Sequence, residues 1–322
     1  MTSLGSGRDG EARAYVQGEP APLPHFSQVL GELALPPAGP DLVIGLDADA
    51  TLVHHDKSLS PRVRDAFLAH IAAGTRIMVV TGRGIVGVQE VLRDLGVSEG
   101  YAVCSNGAIL LRVGEEPEGG LDPYFGEVKD VPLGAKDPEP PVQVIRYHTF
   151  DPKDELRLLA EGIPGAIVAV ESATEMRRIT APFPPGELSG DSLIVPFDEL
   201  LMPNVTRVSV RVEDMTPGEL TARVAELGLR GVEYSVGWTA WLDVAPSGIS
   251  KAVGLGDMAS AFGVPREHVV AVGDSGNDCE MLEWAGVGVA MGNAPDYVKA
   301  YARAGVADVD HDGAAEVLEA LL

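Results

Sequence analysis

The feature that most constrains this chain is a set of apolar runs, each closed by a polar cluster and separated from the next by a helical segment. "DLVIGLDAD" (41–49), "RIMVVTGR" (76–83), "GYAVCSNGA" (100–108) and "HVVAVGDSGND" (268–278) keep their interiors almost free of polar residues. A strand with no polar side has to be covered on both faces, which is the condition of a parallel sheet packed between two helical layers. The intervening segments carry helix signals. "SPRVRDAFLAHIAAG" (60–74) has Ser60 as N-cap, Pro61 at the first helical position and Gly74 as stop. "GVQEVLRDLG" (87–96), "GISKAVGLGDMASAFG" (248–263) and the closing "GAAEVLEALL" (313–322) read as further helices. This alternation predicts an α/β fold with a Rossmann-like, doubly wound parallel sheet.

The middle of the chain has another character. Residues 114–141 are rich in Gly, Pro and acidic residues and read as loops. "VQVIRYHTF" (142–150), "AIVAVES" (166–172), "VEYSV" (232–236) and "TAWLDVA" (239–245) read as strands, and "NVTRVSVRVED" (204–214) alternates as a half-exposed strand does. "DPKDELRLLAEG" (151–162) reads as a helix with Asp151 as N-cap. In "TPGELTARVAELGL" (216–229), Thr216 and Glu219 form a capping box. Strands with one wet face and two helices predict an open α+β unit. The 322 residues exceed what one core usually serves. The expected division is an N-terminal extension over 1–40, partly mobile, a core over 41–130 and 246–322, and an inserted cap domain over 131–245.

Charge excludes some partners. With 48 acidic against 24 basic residues the net is −24, so nucleic acid and anionic membranes are disfavoured. An anionic ligand would need a local site of metal, lysine or backbone N–H groups. Cys104 and Cys279 cannot form a disulfide framework and read as buried thiols. The first twenty residues hold no signal-peptide core and no run of eighteen apolar residues occurs, so the expected location is the cytoplasm.

Asp47 and Asp49 lie two residues apart where a buried strand should end, a spacing that turns both side chains one way. Two such carboxylates repel unless a cation or a proton stands between them. Other polar groups lie at the C-terminal ends of the parallel strands or at a helix start: Thr81-Gly82-Arg83, Lys251, and Gly273 to Asp278. Open α/β sheets build their sites at those strand ends. Three carboxylates, a hydroxyl and a lysine are therefore expected to converge on one crevice.

The series DxDxT, TGR, SNGA, Lys251, GDSGND and AMGNA resembles the haloacid dehalogenase superfamily of phosphohydrolases, and within it the Cof-type branch, whose α/β cap is inserted between the second and third motifs. The likeness spans about residues 42–322 and leaves the leader unexplained. It implies Asp47 as nucleophile and metal ligand. It implies Asp49 as general acid and base, its backbone carbonyl also on the metal, and Asp274 as the third ligand of Mg²⁺. Thr81, with the N–H groups of Gly82 and Ala48, would bind the phosphoryl group, joined by Lys251 and Asn277. Asp278 would orient Lys251, support the metal shell or cap a helix.

The resemblance further implies a phosphatase for a small phosphorylated metabolite, sugar phosphates being the commonest substrates, with no nucleic-acid or membrane partner, acting as a monomer or homodimer. A phosphomutase, a sucrose-phosphate or mannosyl-phosphoglycerate phosphatase-like enzyme, and a catalytically silent binding protein are the alternatives. Ala50 departs from the usual glycine of the family, where the turn can require positive φ, though some relatives carry alanine. His54 and His55 read as exposed loop residues. Arg146, His148, Arg177, Arg178, Trp238 and Trp241 are candidate cap contacts to the leaving group.

Overall fold

A computed structural model describes residues 22–114, 140–229, 231–236 and 239–322. In chain order the first half of the main sheet brings α1 (Phe26–Val29), β1 (Val43–Leu46), α2 (Pro61–Ala72), β2 (Arg76–Val80), α3 (Ile85–Leu95), β3 (Gly100–Cys104), β4 (Ile109–Val113) and β5 (Val142–Tyr147). A second sheet follows, with α4 (Lys153–Gly162), β6 (Ile167–Glu171), β7 (Arg178–Ile179), β8 (Leu193–Ile194), β9 (Arg207–Arg211), α5 (Pro217–Leu227), β10 (Val232–Val236) and β11 (Trp241–Pro246). The chain then returns with α6 (Lys251–Ala261), β12 (Val269–Gly273), α7 (Cys279–Trp284), β13 (Val287–Ala290), α8 (Asp296–Lys299), β14 (Ala304–Gly305) and α9 (Gly313–Leu321).

The main sheet has the order β14-β13-β12-β1-β2-β3-β4-β5. From β14 to β3 every pairing is parallel, with β1 central between β12 and β2. Its strands carry the apolar runs, and their side chains feed two cores. One core holds Ile44, Leu46, Phe67, Leu92 and Leu318, and the other holds Val43, Met78, Leu255 and Met281. Ser60 caps α2 by accepting from the Arg62 N–H, as its position in the sequence predicts.

Two features of this sheet depart from the sequence expectation. Ile109–Val113 forms β4, antiparallel to β3, a strand hidden in sequence by its closeness to the Ser105–Gly107 turn. Val142–Tyr147, assigned from sequence to the inserted segment, is the edge strand β5, antiparallel to β4. Its partial alternation reflects an edge position in the main sheet. Arg146 consequently pairs with Asp257 of α6 at 3.0 Å, and His148 lies 3.5 Å from the same carboxylate.

The second sheet has the order β10-β11-β9-β6-β7-β8, antiparallel except for β7 with β8. It has its own core of Leu156, Val168, Val208, Val210, Leu220, Val224, Leu242 and Val244. The strict alternation of β9 sends Val208 and Val210 into that core and leaves Arg207, Ser209 and Arg211 on the other face. The capping box of Thr216 and Glu219 starts α5 as expected. The helix expected from Asp151 begins at Lys153, with Asp151 accepting from the Lys153 N–H.

Of the N-terminal extension, residues 1–21 lie outside the described residues, as do 115–139 and Trp238. The first helix is one turn, Phe26–Val29, continued by a 3₁₀ turn over Leu30–Glu32. Phe26 is buried, and His25 bridges to Gly305 at the edge of the main sheet.

Candidate active site

The C-terminal ends of β1, β2 and β12 meet at one place, and α6 starts beside them. Lys251 is 1 % exposed, and its Nζ donates to Asp47 Oδ1 and Asp278 Oδ1, each at 2.6 Å. Gly107 makes this approach possible: a Cβ on it would stand 2.1 Å from the Ser250 carbonyl oxygen. Its φ of +95° also suits glycine alone. The other oxygen of Asp278 accepts from the backbone N–H groups of Asp274 and Ser275, at 3.0 and 2.9 Å. Asp278 thus fixes both the lysine and the loop after β12, and both oxygens are engaged.

Asp47, Asp274 and Asp278 offer carboxylate oxygens within 4.8 Å of one another, all buried. Asp274 is flanked by the Thr51 hydroxyl at 3.4 Å and the Asn293 amide at 3.3 Å. Burial pushes the Asp47 carboxyl up, the Asp278 charge adds to this, and Lys251 only partly opposes it. Asp274 is raised by burial and by the charges of Asp47 and Asp278. For Lys251, burial alone would lower proton affinity, but Asp278 and Asp47 outweigh it and the net direction is up. Three carboxylates around one lysine leave buried negative charge without a partner. Such a hard-oxygen pocket fits a divalent cation, with Asp47 and Asp274 the carboxylates free to hold it, since Asp278 is already saturated.

Asp49 is placed differently from its neighbours. β1 ends at Leu46, so Asp47 and Asp49 are not two residues of one strand. The Asp49 side chain is 62 % exposed and lies in a two-pronged ion pair with Arg83, Nη2 to Oδ1 at 2.5 Å and Nε to Oδ2 at 2.9 Å. The protein around Asp49 raises its carboxyl, but the hydrogen bond and charge of Arg83 bring it below the ordinary value. Ala50, the departure from glycine, sits at φ +56°, with its N–H donating to the Val53 carbonyl at 2.8 Å.

Thr81 closes the site on the β2 side. It is buried, and its Oγ1 accepts from the Arg83 N–H at 3.1 Å. Gly82 is bordered by Asn106 and Asn277, which bond each other at 2.9 Å. Asp47, Thr81, Lys251, Asp274, Asn277 and Asp278 therefore gather as the motif order suggests. Arg83, Asn106 and Asn293 also belong here. All three stand inside quoted motifs (TGR, SNGA, AMGNA), and their positions beside DxDxT and GDSGND were the available signal. His54 bonds Asp310 at 3.2 Å and His55 is exposed. Among the candidate cap contacts, Arg177 joins a buried ion-pair group with Glu171, Arg178 bonds the Glu199 carbonyl and Glu175, and Trp241 packs against Phe183. Cys104 is a free buried thiol and Cys279 a partly buried one. Among the described residues no helix is long and apolar enough to cross a membrane.

Comparison with known proteins gives a consistent result. A family model described as haloacid dehalogenase-like hydrolase matches residues 44–117 and 194–318. The pyridoxal phosphate phosphatase YbhA of Escherichia coli is 29 % identical over 86 % of this chain and 97 % of its own length. The 5-amino-6-(5-phospho-D-ribitylamino)uracil phosphatase YitU of Bacillus subtilis is 36 % identical, over 38 % of this chain and less than half (46 %) of its own length. A haloacid dehalogenase-like hydrolase of B. subtilis has the same fold, with a TM-score of 0.67 at 22 % identity, covering 87 % of this chain and 99 % of the other. A sugar phosphatase of haloacid dehalogenase subclass IIB also matches, with a TM-score of 0.66 at 22 % identity over 86 % of this chain and 98 % of its own. The motif order, the inserted second sheet and the matched family model agree: the chain belongs to the haloacid dehalogenase-like hydrolases.

Proposed function

We propose that this hydrolase is a Mg²⁺-dependent phosphatase that cleaves a small phosphorylated metabolite, a sugar phosphate first among the candidates, through an aspartyl phosphate on Asp47. The observation that carries this is the Lys251 ammonium held 2.6 Å from both Asp47 and Asp278 in a pocket whose carboxylates outnumber its cations. Lys251 steadies the Asp47 carboxylate, whose oxygen attacks phosphorus. The new P–O bond forms as the ester P–O bond breaks, and the leaving alcohol takes a proton from Asp49. Asp49 must turn away from Arg83 to do so. In the second step Asp49 accepts a proton from water, the water oxygen bonds phosphorus, and the Asp47–phosphorus bond breaks to release phosphate. Thr81, the Gly82 and Ala48 N–H groups and Asn277 bind the phosphoryl oxygens. Mg²⁺, held by Asp47, Asp274 and the Asp49 carbonyl, would supply charge compensation for the incoming phosphate.

In the same reading the second sheet is the cap that selects the leaving group. The protein then works in the cytoplasm as a monomer or homodimer. The relatives' names add pyridoxal phosphate and the ribitylaminouracil phosphate to the substrates worth testing. The test is phosphate release from a panel of sugar phosphates, these two esters and an aryl phosphate, with Mg²⁺ and with excess chelator. Hydrolysis that disappears in chelator supports the reading. Absence of hydrolysis across the panel overturns it, and transfer of phosphate to a second sugar hydroxyl in place of water would assign a mutase.

A further inference from the structure

The peptide between Gly82 and Arg83 links the second sheet to the hydroxyl of Thr81. Its carbonyl oxygen accepts a hydrogen bond from Arg207 Nη1, on β9. Its N–H donates to Thr81 Oγ1 at 3.1 Å. A threonine hydroxyl has one proton to give. With an incoming N–H occupying one lone pair, that proton is directed away from the backbone, and Thr81 is 1 % exposed.

Arg207 is built for this contact. It faces Glu171 across β6 and β9 in register, and the two are 3 % and 7 % exposed. Its Nη2 and Nε donate to the Glu171 carboxylate at 2.8 and 3.2 Å. Arg177 bonds Glu171 from the other side at 3.2 Å and is itself tied to the Ser189 and Gly190 carbonyls. Two cations on one carboxylate leave Arg207 Nη1 to reach out of the second sheet, with Asp243, 3.7 Å away, as a further anionic neighbour among the described residues. Gly84 gives the pair room. A Cβ there would lie 2.7 Å from Glu171 Oε2 and 3.3 Å from Arg207 Nη2. Its φ of −73° is open to any residue, so the glycine serves space and not backbone conformation.

A charged donor buried against a carbonyl polarises that peptide and strengthens the hydrogen bond its N–H makes in turn. We propose that Arg207 is a positioning residue for the phosphate site: seated on Glu171, it polarises the Gly82–Arg83 peptide and so holds the Thr81 hydroxyl proton toward the phosphoryl oxygen. Contact between the second sheet and the core is thereby sensed by Thr81. This rests on the phosphatase reading, in which Thr81 donates to the phosphoryl group.

A merely structural role for Arg207 would lower activity by the same factor whatever stands at position 81, so the test is a double-mutant cycle. Arg207→Lys and Gly84→Ala are each made with Thr81, Thr81→Ser and Thr81→Ala, and kcat and KM are measured with Mg²⁺ on the best substrate of the panel. Gly84→Ala wedges the ion pair back while every charge stays in place, and it serves if Arg207→Lys does not fold. The expected result is a loss of about tenfold in kcat with Thr81 or Ser at 81, shrinking to within about twofold with Ala at 81. Equal losses in all three backgrounds would overturn the proposal. A second readout does not need turnover. Hydrogen exchange at the Arg83 amide should speed up in Gly84→Ala, and an unchanged rate would also overturn it. If wild type hydrolyses nothing, the phosphatase reading falls while amide exchange still decides whether Arg207 orders this peptide.

Discussion

Arg83 grips Asp49 with two nitrogens, at 2.5 and 2.9 Å, and so holds the proposed acid and base of the reaction in its ionised form. Protonating the leaving group requires the acid form. Removing a cation beside a carboxyl raises its pKa, so the acid form then persists to higher pH. In Arg83→Met the alkaline limb of kcat/KM for an alkyl phosphate should move to higher pH than in wild type. A limb that stays in place would separate Arg83 from the chemistry of Asp49.

Metal binding should depend on pH in a defined direction. The carboxyls of Asp47 and Asp274 are pushed up to about 7 and about 8 by burial and by their carboxylate neighbours. Their ordinary unfolded values are near 4, so between pH 4 and 8 the folded protein binds more protons than the unfolded chain. Stability of the metal-free protein therefore falls as pH rises through that window. Mg²⁺ needs the ionised forms, so its affinity rises over the same range and binding releases protons. Thermal melts from pH 5 to 9, with and without Mg²⁺, should show the two curves diverging upward in pH. Parallel curves would contradict this.

Lys251→Met leaves Asp47 and Asp278 buried without their cation. Loss of one partner from a buried ion pair destabilises by about 3–5 kcal/mol. In metal-free protein the loss should be greater at pH 8 than at pH 5, where Asp47 is protonated. Denaturant melts at the two pH values measure it, and a loss independent of pH would show that the lysine is not compensating Asp47.

Ala50 adopts φ +56°, a conformation that an alanine Cβ disfavours by roughly 1 kcal/mol. Ala50→Gly should raise stability by up to about that amount, less the greater freedom that glycine has in the unfolded chain. Activity should be retained. A lower melting temperature would mean that Ala50, buried in the turn, contributes packing that outweighs the strain.

These relationships differ in how far the sequence discloses them. β1, β2, β3 and β12 were legible because each is a buried apolar run, and the site because its groups stand at the ends of those runs, whereas the two-residue β14 has no such run. β4 was not, since a five-residue run directly after a turn, interrupted by Arg112, is too short to show a period of its own. β5 was misassigned because an edge strand of the main sheet and a strand of a half-exposed sheet alternate alike. Arg207 carried no signal either: like Arg211 in the same alternating "NVTRVSVRVED" it looks like a wet-face residue, and only the cross-strand pairing with Glu171 sets it apart. The Arg83 bond to Asp49 was hidden for a similar reason, because 34 positions separate two side chains that the β1 and β2 loops bring together.

In the proposed reaction Asp47 carries the phosphoryl group between the two steps. Asp49→Asn should slow water activation more than phosphoryl transfer from an aryl phosphate, whose leaving group needs no proton. The most direct measurement is mass spectrometry of this variant, acid-quenched within the first turnover with Mg²⁺ and an aryl phosphate. The expected result is one added phosphoryl group on the peptide containing Asp47, absent when Asp47→Asn is introduced as well. Phosphate released in a burst with no covalent adduct, or an adduct that survives Asp47→Asn, would contradict the account.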